Sequence, residues 1–212
     1  MADLDQCVKF FNRCAKEIAA ESGEGGWISL FNGKDLTGWR ASENTKSFSV
    51  QDGVIVAKGP RSHLYYVGEV GNHDFTNFEF KADVLTKPRS NSGLYIHTRW
   101  QERGWPSWGY EAQINCSHGD WRKTGSLYAV RDVRKAPHND DEWFTYHIIV
   151  RGKQIVLKIN GKTTVEYTEP AGTAKADGSP GRYLSHGTVA LQGHDPGSEI
   201  HFKNIAVKLL PD

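Results

Sequence analysis

Apolar residues recur with two different periods along this chain, and the change comes near residue 24. Between residues 3 and 21 they lie three or four positions apart, which predicts an amphipathic helix. The apolar positions of this segment are Leu4, Cys7, Val8, Phe11, Cys14 and Ile18. The glycine-rich segment 23–26 predicts the end of the helix and a linker. We therefore expect an N-terminal amphipathic helix and glycine linker over residues 1–24, and one domain over residues 25–212.

Two interpretations of this helix remain open. An apolar stripe can pack against the helix's own domain, which is the more common outcome. It can also pair with a second copy of the chain, and the helix would then make the protein a homo-oligomer.

From Trp27 onward, short runs alternate between apolar and polar side chains, the pattern of β-strands with one buried face. Asp52-Gly53 and Asn160-Gly161 each separate two such runs, and both dipeptides favour two-residue hairpin turns. Many short strands of this kind predict an all-β sandwich of two antiparallel sheets. The predicted strands are Ser47–Gln51, Val54–Lys58, Asn77–Val84, Gly93–Arg99, Tyr110–Asn115, Ser126–Val130, Trp143–Arg151, Gln154–Ile159, Thr163–Tyr167, Thr188–Gln192 and Glu199–Leu209. The predicted long polar loops are 59–76, 100–109, 116–124, 131–141 and 168–187.

The charge balance excludes some classes of partner. The chain has 26 Lys and Arg against 25 Asp and Glu, a net charge of +1, so nothing favours nucleic acid or an anionic membrane. No apolar run approaches the roughly 18–20 residues that span a bilayer. The three cysteines, Cys7, Cys14 and Cys116, form no disulfide framework and no metal-binding pair. The N-terminus lacks a secretory signal. The expected location therefore stays open between a bacterial-type cytoplasm, for the chain as written, and the periplasm or exterior, if a leader was removed.

Two predicted strands near the middle of the chain carry the candidate chemistry. Alternation would place Tyr95, His97 and Arg99 on one face of the first strand. In the second strand, the residues that share a face are Glu111, Gln113 and Asn115. If the strands are neighbours, one sheet face combines a carboxylate, an imidazole, a guanidinium, amides and a phenol. Such a face suits a polar, uncharged ligand with many hydroxyl groups.

Glu111 is the candidate general base, because partial burial among aromatic residues would raise the pKa of its carboxyl group. The alternative is a structural carboxylate paired with Arg99. Ordinary glycoside hydrolysis uses two carboxyl groups, about 5–5.5 Å apart in retaining enzymes and about 6.5–9.5 Å apart in inverting ones. This strand supplies only one, so that chemistry would need a loop acid such as Asp120 or Asp132.

Histidine, arginine and tryptophan side chains could complete such a site. His97 and His194 could shuttle a proton, polarise a carbonyl or bind a metal, although each could equally be a hydrogen-bonded structural histidine. Arg99 could hold a developing oxyanion. No cofactor is indicated, and no ligand spacing supports a divalent metal, although loop oxygens could hold one. Sugar stacking or loop packing would explain the loop tryptophans Trp105, Trp108 and Trp121.

Several segments, taken in order, resemble the 3-keto-disaccharide hydrolase family from about Trp27 to Leu210. The opening L-F-N-G-K-D-L-T-G-W, over residues 30–39, is the most specific of them. The remaining segments are N-S-G-L-Y at 91–95, Y-E-A-Q-I at 110–114, T-G-S-L-Y at 124–128, E-W at 142–143, I-N-G at 159–161, V-A-L-Q-G-H at 189–194 and H-F-K-N-I at 201–205.

The resemblance implies a concanavalin A-like jelly roll that acts on oxidised mono- or disaccharides, the 3-keto-glycosides. A ketone at C3 acidifies the C2 proton, so one base can start an elimination of the C1 substituent, with or without later addition of water. The family's polar positions correspond to Asn91, Tyr95, His97, Arg99, Glu111, Gln113, Gln192 and His194. Glu111 would be the base, Arg99 and His97 the oxyanion holders, and His194 the acid or a positioning group. The residues that would bind the sugar are Asn91, Tyr95, Gln113, Gln192, Trp105, Trp108 and Trp121. The alternatives are a non-catalytic lectin-like module and an ordinary glycoside hydrolase with a loop acid.

Overall fold

The computed structural model describes residues 22–23, 26–175 and 177–211. These residues form fourteen β-strands and two single-turn 3-10 helices, Thr45–Ser47 and Val70–His73. The predicted helix at residues 3–21 lies outside the described residues, so its existence, its two interpretations and the domain boundary stay predictions.

The strands are short in the first third of the chain and longer after it. They are β1 (Ser22–Gly23), β2 (Trp27–Ser29), β3 (Trp39–Ala41), β4 (Phe48–Gln51), β5 (Val54–Lys58), β6 (Ser62–Tyr66), β7 (Phe78–Thr86), β8 (Asn91–Thr98), β9 (Tyr110–Asn115), β10 (Phe144–Arg151), β11 (Gln154–Ile159), β12 (Lys162–Thr168), β13 (Thr188–Gly193) and β14 (Glu199–Leu209).

The strands form two antiparallel sheets, and the predicted all-β sandwich is confirmed. The larger sheet has nine strands, in the order β1-β2-β14-β7-β10-β11-β12, with β5 also pairing with β14 and β4 pairing with β5. The smaller sheet has five strands, in the order β3-β6-β13-β8-β9. In the larger sheet, residues 78–84 of β7 and 144–150 of β10 alternate between buried and half-buried. In the smaller sheet, every residue of β8 and β13 is buried, so loops must cover the face turned away from the core.

Both predicted hairpin turns are confirmed. Asp52 and Gly53 have φ values of 49° and 78°, and Asn160 and Gly161 have φ values of 50° and 78°. Two consecutive residues in this left-handed region match the right-handed twist of the strands they join.

Two stretches of the prediction are wrong, each for a local reason. Residues 126–130 form a turn, in which Leu127 makes only isolated bridges to Ala112 and Arg131. The Ser126 hydroxyl donates to the Lys123 carbonyl at 2.7 Å, and such local bonds compete with a strand ladder. The predicted loop 59–76 contains β6, whose five residues are all buried and therefore show no alternation.

Within the described ranges, no helix is long and apolar enough to cross a membrane.

Candidate functional site

A cavity of about 400 Å³ opens on the loop-covered face of the five-stranded sheet. This volume suits a small organic ligand. Seven of the predicted site residues line it: Asn91, Tyr95, Trp105, Glu111, Gln113, Gln192 and His194. Five of these side chains come together because β13, β8 and β9 are neighbours in the sheet and present alternate residues to the same face. The other two lie outside the strands, Trp105 in the loop between β8 and β9 and His194 directly after β13.

The floor of the cavity is a hydrogen-bonded triad of side chains. Tyr95 lies directly opposite Glu111 in the β8–β9 ladder, and its hydroxyl donates to Glu111 Oε2 at 2.9 Å. Gln192 Nε2 donates to Glu111 Oε1 at 3.1 Å and to the Tyr95 hydroxyl at 3.1 Å. The carboxylate is therefore held in one orientation by neutral donors, and no cation pairs with it directly among the described residues.

Burial raises the pKa of Glu111 from 4.5 to about 7. The hydrogen bonds from Tyr95 and Gln192 and the positive charge of Arg182 lower it, while the negative charge of Asp120 raises it further. Desolvation outweighs the hydrogen bonds because a carboxylate shielded from water loses much of the hydration that would stabilise its charge. Near neutral pH the group is about half ionised, which suits a residue that takes up and releases a proton.

Gly93 makes room for this carboxylate. A Cβ atom at residue 93 would lie 2.5 Å from Glu111 Oε1 and 2.8 Å from its Cγ. Since Gly93 lies opposite Gln113 in the same ladder, the Glu111 side chain extends diagonally across the bare backbone of β8.

The first prediction follows from this contact. We expect Gly93→Ala to displace the Glu111 carboxylate and to lower kcat/KM by at least tenfold, because misplacing a reacting group by about 1 Å can cost far more. The measurement is kcat/KM beside the thermal midpoint. The control is Gly119→Ala, whose Cβ would meet nothing within 4 Å. An unchanged kcat/KM in a folded Gly93→Ala protein would contradict the role of Glu111 as the general base.

His194 is oriented by the next residue. Its Nδ1 lies 2.7 Å from Asp195 Oδ2, and Asp195 also accepts hydrogen bonds from the Ser198 hydroxyl and the Gly197 amide, both at 2.8 Å. Burial raises the pKa of Asp195, but these hydrogen bonds outweigh it and leave the pKa below its usual value. An ionised Asp195 holds the proton on His194 Nδ1 and fixes the ring beside Trp105, whose centroid is 5.2 Å away.

His97 does not share the cavity face, and the prediction that it would is wrong. Its φ of 52° breaks the alternation of β8, where the register with β13 also shifts between Thr188 and Ala190. The ring packs 5.7 Å from Phe78 in the core. Its Nε2 lies 3.0 Å from the Thr76 carbonyl and its Nδ1 accepts the Ser185 amide at 3.2 Å. Burial lowers the pKa of His97 to about 4, so the ring is a neutral structural group.

Arg99 also lies away from Glu111, and the anticipated ion pair between them is not formed. Its guanidinium stacks 3.8 Å above the Trp108 ring, and it lines a separate groove with Arg40 and Trp100. Trp108 packs edge-on against Tyr183. Trp121 lies between Arg122 and Arg134, at 4.4 and 4.6 Å. Neither Trp108 nor Trp121 lines the cavity, so Trp105 is the tryptophan of its wall.

Sequence reasoning missed three polar side chains that line the cavity: Ser107, Tyr128 and Arg182. Each belongs to a loop or turn, where no periodicity marks the side-chain direction. Asp120, considered from the sequence as a loop acid, does line the cavity. Its Oδ1 accepts the Arg122 amide at 2.9 Å. Asp132 instead pairs with Arg122 Nε at 3.3 Å, outside the cavity.

No metal site accompanies these groups in the part of the chain that the structure describes: no cluster of three or more His, Cys, Asp or Glu side chains could hold a metal ion there.

Comparisons with solved structures define the class of protein. A protein of Parabacteroides distasonis, provisionally described as a glycosyl hydrolase, is 27% identical, with a TM-score of 0.72 over 88% of this chain and 94% of its own. A second such protein from the same organism is 25% identical, with a TM-score of 0.65 over 87% and 99%. The carbohydrate-binding module CBM66 of Bacillus subtilis shares the fold, at 13% identity and a TM-score of 0.57 over 81% and 95%. The class is thus a jelly-roll β-sandwich of carbohydrate-active proteins.

The family follows from a match that covers most of the chain. The model of the 3-keto-alpha-glucoside-1,2-lyase-like domain matches residues 26–208, and the chain belongs to that family. No curated protein sequence matches it.

Proposed function

We propose that the protein cleaves the glycosidic bond of 3-keto-glycosides by base-initiated elimination, with or without later addition of water. The observation that carries the proposal is Glu111, a half-buried carboxylate whose pKa is raised to about 7 and which is held by neutral hydrogen-bond donors. It lies on the floor of a cavity lined mainly by neutral polar side chains. Family membership supports the same substrate class.

The proposed reaction uses three groups of the cavity. Glu111 removes the proton from C2 of the sugar, and the electrons of that bond move onto the C3 carbonyl oxygen as an enolate. Arg182 lies in the cavity wall with no ion pair among the described residues, and its guanidinium stabilises the enolate oxygen. The enolate then collapses, the C1–O bond breaks, and His194 gives its Nε2 proton to the departing oxygen while its Nδ1 proton stays in the hydrogen bond to Asp195. Addition of water across the new C1–C2 double bond would complete a net hydrolysis.

One assay separates this function from its alternatives. The protein is incubated with a 3-keto-glucoside that carries a chromogenic leaving group, and with the unoxidised parent glucoside. We expect release from the keto form alone, because only that form has an acidic C2 proton. No release from either, together with sugar binding, would favour a lectin-like module and contradict the proposal.

A second candidate function deserves a test because Asp120 lines the same cavity as Glu111. Two carboxyl groups could perform ordinary glycoside hydrolysis. The second prediction therefore concerns Asp120→Asn. Under elimination chemistry we expect kcat to change by less than about tenfold, since Asp120 takes no part in proton transfer. The acid limb of the pH profile should move to lower pH, because the negative charge of Asp120 raises the pKa of Glu111.

The control for this prediction is Asp132→Asn, which removes a carboxylate outside the cavity. Two-carboxylate hydrolysis predicts a different pair of results. The wild-type protein would cleave the unoxidised glucoside, and Asp120→Asn would lose about 10²-fold or more of that activity. Those two results together would replace the proposal with ordinary hydrolysis.

A further inference from the structure

An uncharged imidazole lies buried beside the cavity with no hydrogen-bond partner. His63 is fully buried, and neither of its ring nitrogens has a partner among the described residues. Burial lowers the pKa of His63 to about 3, so the ring is neutral. Polar groups buried in this way are rarely left unpaired in native proteins, and an unpaired one calls for an explanation.

His63 adjoins the proposed catalytic carboxylate through Gln192. The two residues lie opposite each other in the β6–β13 ladder, and Gln192 Nε2 donates to Glu111 at 3.1 Å. The Gln192 Oε1 atom and the hydroxyl of Tyr65, two residues along β6, are also buried without partners. Three neighbouring side chains thus present unsatisfied polar atoms on the same face of the sheet as Glu111.

Trp105 closes this region off from solvent. Its ring lies 5.6 Å from His63 and is itself 45% exposed, while the His63 side chain is also 5.3 Å from Tyr95. Trp105 belongs to residues 100–108, which we call the cover segment. Within it, Gln101 Nε2 donates to the carbonyls of Arg103 and Trp105, both at 2.8 Å, so these residues are tied together as a unit.

Glu43 attaches the middle of the cover segment to the sandwich. Glu43 Oε1 accepts the Gly104 amide at 3.2 Å, and the Glu43 amide donates to the Glu102 carbonyl at 2.9 Å. Arg61 binds the same carboxylate, with Nε 2.8 Å from Oε1 and Nη2 3.2 Å from Oε2. The Arg61 guanidinium also lies 5.0 Å from the Trp105 ring centroid. Ion pairs this accessible to water contribute little stability, so the fastening can be released.

We propose that the cover segment opens at the Glu43–Arg61 ion pair, and that His63 and Tyr65 beneath it bind the second ring of an uncharged disaccharide. The imidazole and the phenol offer both donors and acceptors to sugar hydroxyl groups and carry no charge, which selects a neutral ring. Trp105, once displaced, presents an apolar face against which a sugar ring can stack. The inference rests on the proposed function only for the placement of the first ring against Glu111.

The test compares the binding of two unoxidised sugars by calorimetry, trehalose as the disaccharide and methyl α-glucoside as the single ring. We expect the wild-type protein to bind trehalose more tightly. His63→Phe keeps an aromatic ring but removes both nitrogens, and should lower the trehalose-to-glucoside affinity ratio about fivefold to tenfold, the usual loss for one or two hydrogen bonds. Tyr65→Phe should also lower the ratio, and it replaces His63→Phe as the test if that protein does not fold.

Glu43→Gln is expected to change the trehalose-to-glucoside affinity ratio in the opposite direction. Weakening the fastening reduces the cost of opening, so the affinity ratio should rise, because a ligand that binds only the open form gains when opening becomes easier. Damage to the structure would lower the ratio or leave it unchanged. The control is Glu79→Gln, since Glu79 pairs with His147 at 2.7 Å on the other sheet, and its ratio should equal that of the wild type.

Three results would overturn the proposal: a wild-type protein that binds trehalose no more tightly than methyl α-glucoside, a His63→Phe protein with an unchanged affinity ratio, or a Glu43→Gln protein whose affinity ratio does not rise. Failure of the proposed function is distinguishable. It would appear as no release of the leaving group from the chromogenic 3-keto-glucoside, while the binding ratios still followed the pattern above.

Discussion

Replacing Glu111 by glutamine is expected to lower kcat on a 3-keto-glycoside by about 10²-fold or more. Glutamine keeps the shape of the side chain, and its amide oxygen can still accept one of the hydrogen bonds from Tyr95 and Gln192. It cannot accept the C2 proton. The measurement is exchange of the C2 hydrogen with deuterium from solvent, which follows proton removal even when bond cleavage is slow. Exchange at nearly the wild-type rate would contradict Glu111 as the base.

The same substitution is expected to change how stability depends on pH. Because the folded state raises the pKa of Glu111 from 4.5 to about 7, it binds this proton more tightly than the unfolded chain does. The stability linked to this proton is fully present below pH 4.5 and is lost as the pH rises through 7. A shift of this size corresponds to at most about 3 kcal/mol in the free energy of unfolding.

Glu111→Gln has no such proton to lose. Between pH 5 and pH 8 its free energy of unfolding should therefore fall less than that of the wild type, by up to about 3 kcal/mol. Denaturant unfolding at the two pH values measures the difference. The control is Glu166→Gln, because Glu166 is exposed on β12. Equal pH dependence in the wild type and Glu111→Gln would show that the folded state leaves this carboxyl group unperturbed.

Replacing Arg182 by glutamine is expected to lower kcat by about 10²–10³-fold, the usual cost of removing one donor to a developing oxyanion. Arg182 lines the cavity, and its positive charge lowers the pKa of Glu111. Its loss should therefore also move the acid limb of the pH profile to higher pH. Added guanidinium ion should restore part of the activity.

The matched control is Arg99→Gln. Arg99 stacks on Trp108 outside the cavity, so this variant should keep kcat within about threefold of the wild type, although lost packing against Trp108 can lower stability slightly. Measuring kcat/KM against pH for both variants decides the assignment. The reverse result, with Arg99→Gln inactive and Arg182→Gln active, would return the role of oxyanion holder to the residue that the sequence favoured.

The alternation of residue types did not predict which of these two arginines lies in the cavity. Strict alternation along residues 93–99 placed Tyr95, His97 and Arg99 on one face. The structure keeps Tyr95 on that face, but the left-handed backbone at His97 turns the last residues of β8 elsewhere. One residue of changed backbone geometry reverses the face of every side chain after it. No property of the residue types near position 97 predicts that change.

The sequence by itself determined the β-sandwich, both hairpin turns and seven of the residues that line the cavity. Alternation and turn chemistry are local properties, and each strand carries them in its own few residues. Only the tertiary structure decided that Arg182 and Asp120 face Glu111, that Gly93 leaves space for its carboxylate, and that Trp105 covers His63. Those arrangements depend on how loops distant in sequence meet over one sheet, and burial, which raises the pKa of Glu111, exists only once they have met.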